Sequence, residues 1–238
     1  MPDPIDRSKL CFIILPGLAP DPLSVVPIGK YLEAQGYAAI VTNFCGDTAP
    51  RDFSKLTIDE CLENIAALIR DAKKKYPVVV GIGISLGGAL FIEHAKTHTD
   101  LDYIASVGTP FKLKWRRLIS FGLLFAPAIH AVWKIFQPSQ RRRPLPVEAL
   151  PMTMDFFEGR LLKNLAAIKT PILFMHSKTD SATDYRALLE YAPKISNART
   201  KIILSENGSH QMDYDPNPIV KNVFEFLGLT PPSRTSRR

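Results

Sequence analysis

Six short runs of apolar residues punctuate the chain: CFIIL at 11–15, AAIVTN at 38–43, PVVVGI at 77–82, LDYIASVG at 101–108, PILFMH at 171–176 and KIILSE at 201–206. None alternates strictly between apolar and polar, so each predicts a strand buried on both faces. The stretches between them carry helical spacing instead. Residues 57–75 set Ile58, Cys61, Leu62, Ile65, Leu68 and Ile69 on one face, behind a capping box of Thr57 and Glu60. Residues 23–37 read as a helix capped by Ser24 and stopped at Gly36, residues 86–97 as another, and the regions 183–192 and 217–228 as two more. Apolar strands separated by helices predict a parallel sheet covered on both faces. Reactive groups in such sheets collect at the carboxyl ends of the strands. No internal repeat is visible, and residues 111–165 break the alternation as an insertion would.

One strand-to-helix junction has unusual chemistry. GIGISLGG, residues 81–88, sets a single serine among four glycines. A glycine-rich turn with a capping serine would have a similar composition. However, Gly83-Ile84-Ser85-Leu86-Gly87 matches G-x-S-x-G with a strand before and a helix after, the context of a nucleophile elbow. There the serine sits on a strained turn, and its neighbours must be small for strand and helix to approach.

A serine hydroxyl needs a base, and the base needs an orienting carboxylate. His94 and His98 lie on the helix after Ser85 and point away from the turn, His130 is in the insertion, and His176 ends an apolar strand as a structural histidine could. His210 lies in ENGSHQMD, a polar loop just past the last strand, and is the candidate base. Asp180 follows the fifth strand and is the candidate acid; Asp184 competes but reads as a helix-start residue. The order Ser85, Asp180, His210 is the one expected for this architecture. An oxyanion would be held by the Leu86 N–H at the start of the helix and by an N–H from the loop LPGLAPDP. Leu18 is the best placed there, because Pro16 and Pro20 have no N–H.

Taken together, ILPGLAPDPLSVVPIGKYLEAQGY, VVVGIGISLGG, PILFMHSKTD and NGSH resemble the α/β-hydrolase superfamily across the whole chain outside 111–165. Within it the chain looks most similar to small bacterial carboxylesterases and monoacylglycerol-lipase-like enzymes. The resemblance implies an α/β-hydrolase fold of about six mostly parallel strands with an inserted helical cap. It also implies ester hydrolysis through an acyl-serine, with no metal or organic cofactor. Two positions depart from the pattern: Pro16-Gly17 stands where the superfamily has His-Gly, and Ser177 where a glycine is common. Serine rather than aspartate at the elbow argues against a dehalogenase.

Composition adds a compartment and a surface. Cys11, Cys45 and Cys61 are odd in number and lack metal spacing, which suits buried or free thiols in a reducing compartment, and the expected location is cytoplasmic. MPDPIDRSKL lacks the apolar core of a signal peptide. The net charge of +7 is concentrated: residues 111–146 carry +8 with no acidic residue, the tail from Leu229 adds +3, and the remainder is −4. The apolar run from Leu118 to Val132, flanked by Trp115 and Trp133, is short for a membrane span and is interrupted by Gly122 and Pro127.

The expected organisation is therefore a core in two parts, 1–110 and 166–230, a cap at 111–165, and a disordered basic tail at 231–238. The cap would line an acyl pocket and touch anionic membrane from the periphery through Lys112, Lys114, Arg116, Arg117 and Arg141 to Arg143. Nucleic acid is not expected, because no recognition motif accompanies the charge. The expected activity is cleavage of lipophilic carboxylic esters. The alternatives are an acyl-thioesterase and, in a different class, a catalytically silent lipid- or partner-binding protein. Oligomeric state is open.

Overall fold

The computed structural model describes residues 6–18, 25–42, 57–114, 150–196, 199–208, 210 and 216–230. Ser24, His130, Cys45, the 231–238 tail and residues 115–149, the greater part of the expected cap, lie outside the described residues.

The six apolar runs form one sheet. Its strands are β1 (Leu10–Leu15), β2 (Ala38–Val41), β3 (Val78–Ile84), β4 (Tyr103–Val107), β5 (Ile172–Ser177) and β6 (Thr200–Ser205), in the order β2-β1-β3-β4-β5-β6. Every pairing is parallel. Continuous apolar runs give both faces of each central strand something to bury. In β1, Leu10, Phe12 and Ile14 face one layer while Cys11, Ile13 and Leu15 face the other. At the two edges, β2 and β6 are only partly covered.

The layer against Phe12 holds α1 (Val26–Ala34) and α6 (Pro216–Leu227). The opposite layer holds α2 (Ile58–Lys73), α3 (Leu86–His94) and α5 (Tyr185–Tyr191), while α4 (Leu150–Asp155) leads into a π-helical turn at Phe156–Arg160. The Thr57–Glu60 capping box opens α2, and Ile58, Cys61, Ile65 and Ile69 are its buried stripe. Burial raises the thiol pKa of Cys11 to about 11. Two helix ends differ from expectation. The residue capping α1 is Val25, without a side-chain bond, and α3 stops at His94 rather than 97.

The borders of the expected insertion are built into the core. Phe111 is buried and packs on Phe174 and Tyr191. Phe156, Phe157, Leu161 and Leu165 join the same apolar cluster. Lys96 donates to the carbonyls of Arg160 and Leu161, while Arg160 Nε donates to the buried Glu93 at 2.8 Å. These bonds tie the returning chain to α3.

Candidate active site

Ser85 sits between β3 and α3 with φ 51° and ψ −112°, the left-handed side of backbone space that a side chain disfavours. Its surroundings explain how it is kept there. The Ser85 N–H donates to the Val107 carbonyl at 2.7 Å, and the first bond inside α3 runs from Ala89 N–H to the Ser85 carbonyl at 3.1 Å. A Cβ on Gly83 would overlap the backbone of Gly87 and Gly88, and one on Gly87 would come within 2.6 Å of the Pro16 carbonyl oxygen. The glycines of the motif are therefore required by backbone-to-backbone approach. Ser106 and Thr109 hydroxyls bond each other behind the turn, and Thr109 Oγ1 lies 3.4 Å from the Ser85 carbonyl oxygen.

His210 Nε2 lies 2.9 Å from Ser85 Oγ, and His210 Nδ1 lies 2.7 Å from Asp180 Oδ2. A carboxylate only accepts, so Nδ1 carries the proton and Nε2 is free to accept from the serine hydroxyl. Gly108, with φ 59°, makes room for the histidine: a Cβ there would collide with the His210 carbonyl. Asp180 is fully buried, Ser85 is 8% exposed, and the His210 side chain is 22% exposed. His210 is thus the most open of the three.

Burial alone would raise the pKa of the Asp180 carboxyl. The hydrogen bond and charge of His210, with the hydroxyl and N–H of Thr183, outweigh it and hold the group well below the usual carboxylate range. Oδ1 accepts the N–H groups of Ala182 and Thr183 at 2.7 and 3.0 Å, and Oδ2 accepts the Thr183 hydroxyl at 2.6 Å. Lys114 Nζ donates to the Asp180 backbone carbonyl, and Lys114 N–H bonds the Ala182 carbonyl at 3.0 Å. Lys114, near the start of the expected insertion, is thereby stitched to the loop that carries Asp180.

The other candidates fall elsewhere. His176 does not touch Ser85; its Nδ1 donates to the Ser177 carbonyl at 2.9 Å and its Nε2 faces Thr183. Asp184 caps α5 by accepting from Arg186 N–H. His94 bonds Asp100 at 2.7 Å and stacks on His98 at the far end of α3. The Leu86 N–H precedes the first bond of α3, and the Leu18 loop is held against that helix by Gly87 N–H donating to the Pro16 carbonyl at 3.1 Å. Among the described residues, no cluster of three or more metal-type ligands occurs, and no helix is long and apolar enough to cross a membrane.

Nothing in the sequence singles out Thr183, Thr179 or Gly108, and Ser177 stands out there only as a departure from the superfamily's glycine. Ser177 Oγ and Thr179 Oγ1 both donate to the Gly208 carbonyl, at 2.9 and 3.0 Å, and so join the acid loop to the histidine loop. The available signal was the run of small hydroxyl residues around Asp180, which suits side-chain-to-backbone bonding.

No family model matches the sequence, and no curated protein does. Solved structures do match by shape. A metagenome-derived lipolytic enzyme superposes with a TM-score of 0.70 at 17% identity, covering 93% of this chain and 94% of its own. A monoacylglycerol lipase from Paleococcus ferrophilus gives 0.66 at 15% identity, covering 92% and 94%. A deformylase from Pseudomonas putida S16 gives 0.59 at 17% identity, covering 89% of each chain. The chain has the α/β-hydrolase fold.

Proposed function

We propose that this α/β-hydrolase-fold protein is a serine hydrolase that cleaves carboxylic esters through an acyl-serine intermediate. The observation that carries the reading is the unbroken run of bonds from Ser85 Oγ through both nitrogens of His210 to a buried Asp180. His210 Nε2 takes the hydroxyl proton as Ser85 attacks the ester carbonyl. Asp180 holds the ring by Nδ1–H and stabilises the imidazolium that forms. The Leu86 and Leu18 N–H groups are assigned to the oxyanion, at the positive end of α3. The imidazolium then protonates the leaving alcohol. Water, deprotonated by the same nitrogen, releases the acid and regenerates Ser85.

The lipophilic character of the acyl group, and contact with anionic membrane, rest on the sequence of 111–146, apolar at its centre and basic at its ends. A fluorophosphonate probe tests the reaction class directly. Wild-type protein is expected to be labelled at Ser85 and to turn over short soluble esters. Without labelling or turnover, the silent lipid- or partner-binding protein becomes the better reading. A series of esters of increasing acyl length then tests the substrate class.

A further inference from the structure

Thr183 grips the acid twice. Its N–H donates to Asp180 Oδ1 at 3.0 Å, and its hydroxyl lies 2.6 Å from Oδ2, the oxygen that accepts from His210. With a donor on each oxygen from one residue, the carboxylate cannot turn about its Cβ–Cγ bond without breaking one of them. Backbone N–H groups alone would leave Oδ2 to be oriented by His210, the very group it has to orient.

Behind Thr183 stands His176, with Nε2 2.9 Å from the same hydroxyl. The His176 Nδ1 proton is committed to the Ser177 carbonyl at 2.9 Å, so in the neutral ring Nε2 can only accept. The Thr183 hydroxyl has one proton and faces two acceptors. Asp180 Oδ2 is nearer and charged, and takes it. Thr183 and His176 are each 1% exposed and Asp180 is fully buried, so bulk water does not reach the cluster. Burial is the foremost influence lowering the pKa of His176, and the charges of His210 and Lys114 add to it. The Ser177 bond and the Asp180 charge oppose it. A neutral His176 leaves the Asp180 charge to His210.

We propose that Thr183 is a positioning residue for the acid, its hydroxyl aiming Oδ2 at His210, while His176 is the alternative acceptor of that hydroxyl and serves the fold. The proposal rests on the serine-hydrolase reading above. It predicts a crossed pattern in two variants. Thr183→Val keeps the shape and the backbone N–H but deletes the hydroxyl. It is expected to lower kcat on a soluble ester by about 10- to 100-fold with KM within about twofold, and to slow fluorophosphonate labelling in step. Thr183→Ser restores kcat to within about threefold. His176→Asn is expected to do the reverse, lowering the melting temperature while costing less turnover than Thr183→Val.

A readout independent of substrate is the strongly downfield proton resonance of His210 Nδ1–H. It should move or broaden in Thr183→Val and persist in Thr183→Ser. If Thr183→Val does not fold, Thr183→Ala takes its place. The proposal is overturned by an unmoved resonance with wild-type kcat in Thr183→Val, by equal impairment of the Val and Ser variants, or by greater loss of turnover in His176→Asn. A wild-type protein with neither labelling nor turnover would sink the serine-hydrolase reading instead. The resonance would still decide whether Thr183 aims Asp180 at His210.

Discussion

Around Ser85 the neighbours are glycines, and the restraints are contacts of backbone with backbone: Gly83 against Gly87 and Gly88, Gly87 against Pro16. Around Asp180 the neighbours are Ser177, Thr179 and Thr183, and the restraints are side-chain hydrogen bonds. The first arrangement holds one residue in a disfavoured conformation by leaving nothing else room to relax. The second holds a charge in a buried place by surrounding it with donors. Steric restraint should therefore fail abruptly and through the fold, whereas bonded restraint should fail by degrees and through the chemistry.

The largest effect tests the elbow. On the proposed mechanism, Ser85→Ala is expected to reduce kcat by about 10⁶-fold, since it removes the attacking oxygen. Ser85→Gly should be equally inactive but more stable than Ser85→Ala, because only glycine accepts φ 51° with ψ −112° at little cost. Thermal melts of the two inactive variants make the strain visible without any substrate. Identical melting temperatures would mean that the turn stores no strain.

On the acid side, Asp180→Asn is expected to lower kcat by roughly 10⁴-fold, since the amide no longer holds His210 in the tautomer with Nδ1 protonated. Acid stability should follow the same group. The folded pKa of Asp180 is depressed, so its contribution is complete above the unfolded value of about 3.9 and is lost as pH falls through the folded value. His94 and His176 act higher up. Burial lowers both below their ordinary value, so the unfolded chain binds protons first and stability falls as pH drops below about 6.5. Melting temperature measured from pH 7 to pH 3 should therefore decline in two stages, and His176→Asn should flatten the upper one. A flat profile down to pH 4 would contradict the burial of both histidines.

Gly83→Ala probes the steric restraint by itself. The added methyl meets main chain, which cannot swing aside as a flexible side chain would, so the expected cost is about 1–3 kcal/mol or more. Urea unfolding measures it, and a cost under half of that would show that α3 can draw back from β3.

The two kinds of restraint also differ in how well the sequence displays them. Backbone contact admits only glycine, so Gly83 and Gly87 stand out within five residues and mark Ser85 as the candidate nucleophile in the sequence itself. The parallel sheet was legible for a similar reason, since strands buried on both faces leave continuous apolar runs such as CFIIL. Hydrogen-bond donors to a carboxylate can come from many residue types at many spacings. Thr183 therefore looks like an ordinary loop threonine until the chain places it beside Asp180. Gly108 carries no local signal because the residue it accommodates, His210, is distant in sequence. The residues at the two ends of the expected insertion are silent for a comparable reason. Phe111 and Phe156 are apolar like the segment between them, and only tertiary contact assigns them to the core.

The smallest expected effect lies where two side chains share one task. Ser177 and Thr179 both donate to the Gly208 carbonyl, and Gly208 N–H returns a bond to Thr179 Oγ1 at 3.1 Å. Ser177 is buried and Thr179 is exposed, so water can replace the second more readily than the first. Removing either leaves the carbonyl one donor. Ser177→Ala is expected to cost about 1 kcal/mol and Thr179→Val about half of that, with kcat changed by less than about threefold. Removing both releases the histidine loop from the acid loop, so the double variant should lose about 0.5–1 kcal/mol more than the sum of the singles. A double-mutant cycle on unfolding free energy reads that excess directly. Strict additivity would mean that the two hydroxyls act independently and that the histidine loop is held elsewhere. An excess accompanied by a fall in kcat would show that this pair of bonds sets the reach of His210 toward Ser85.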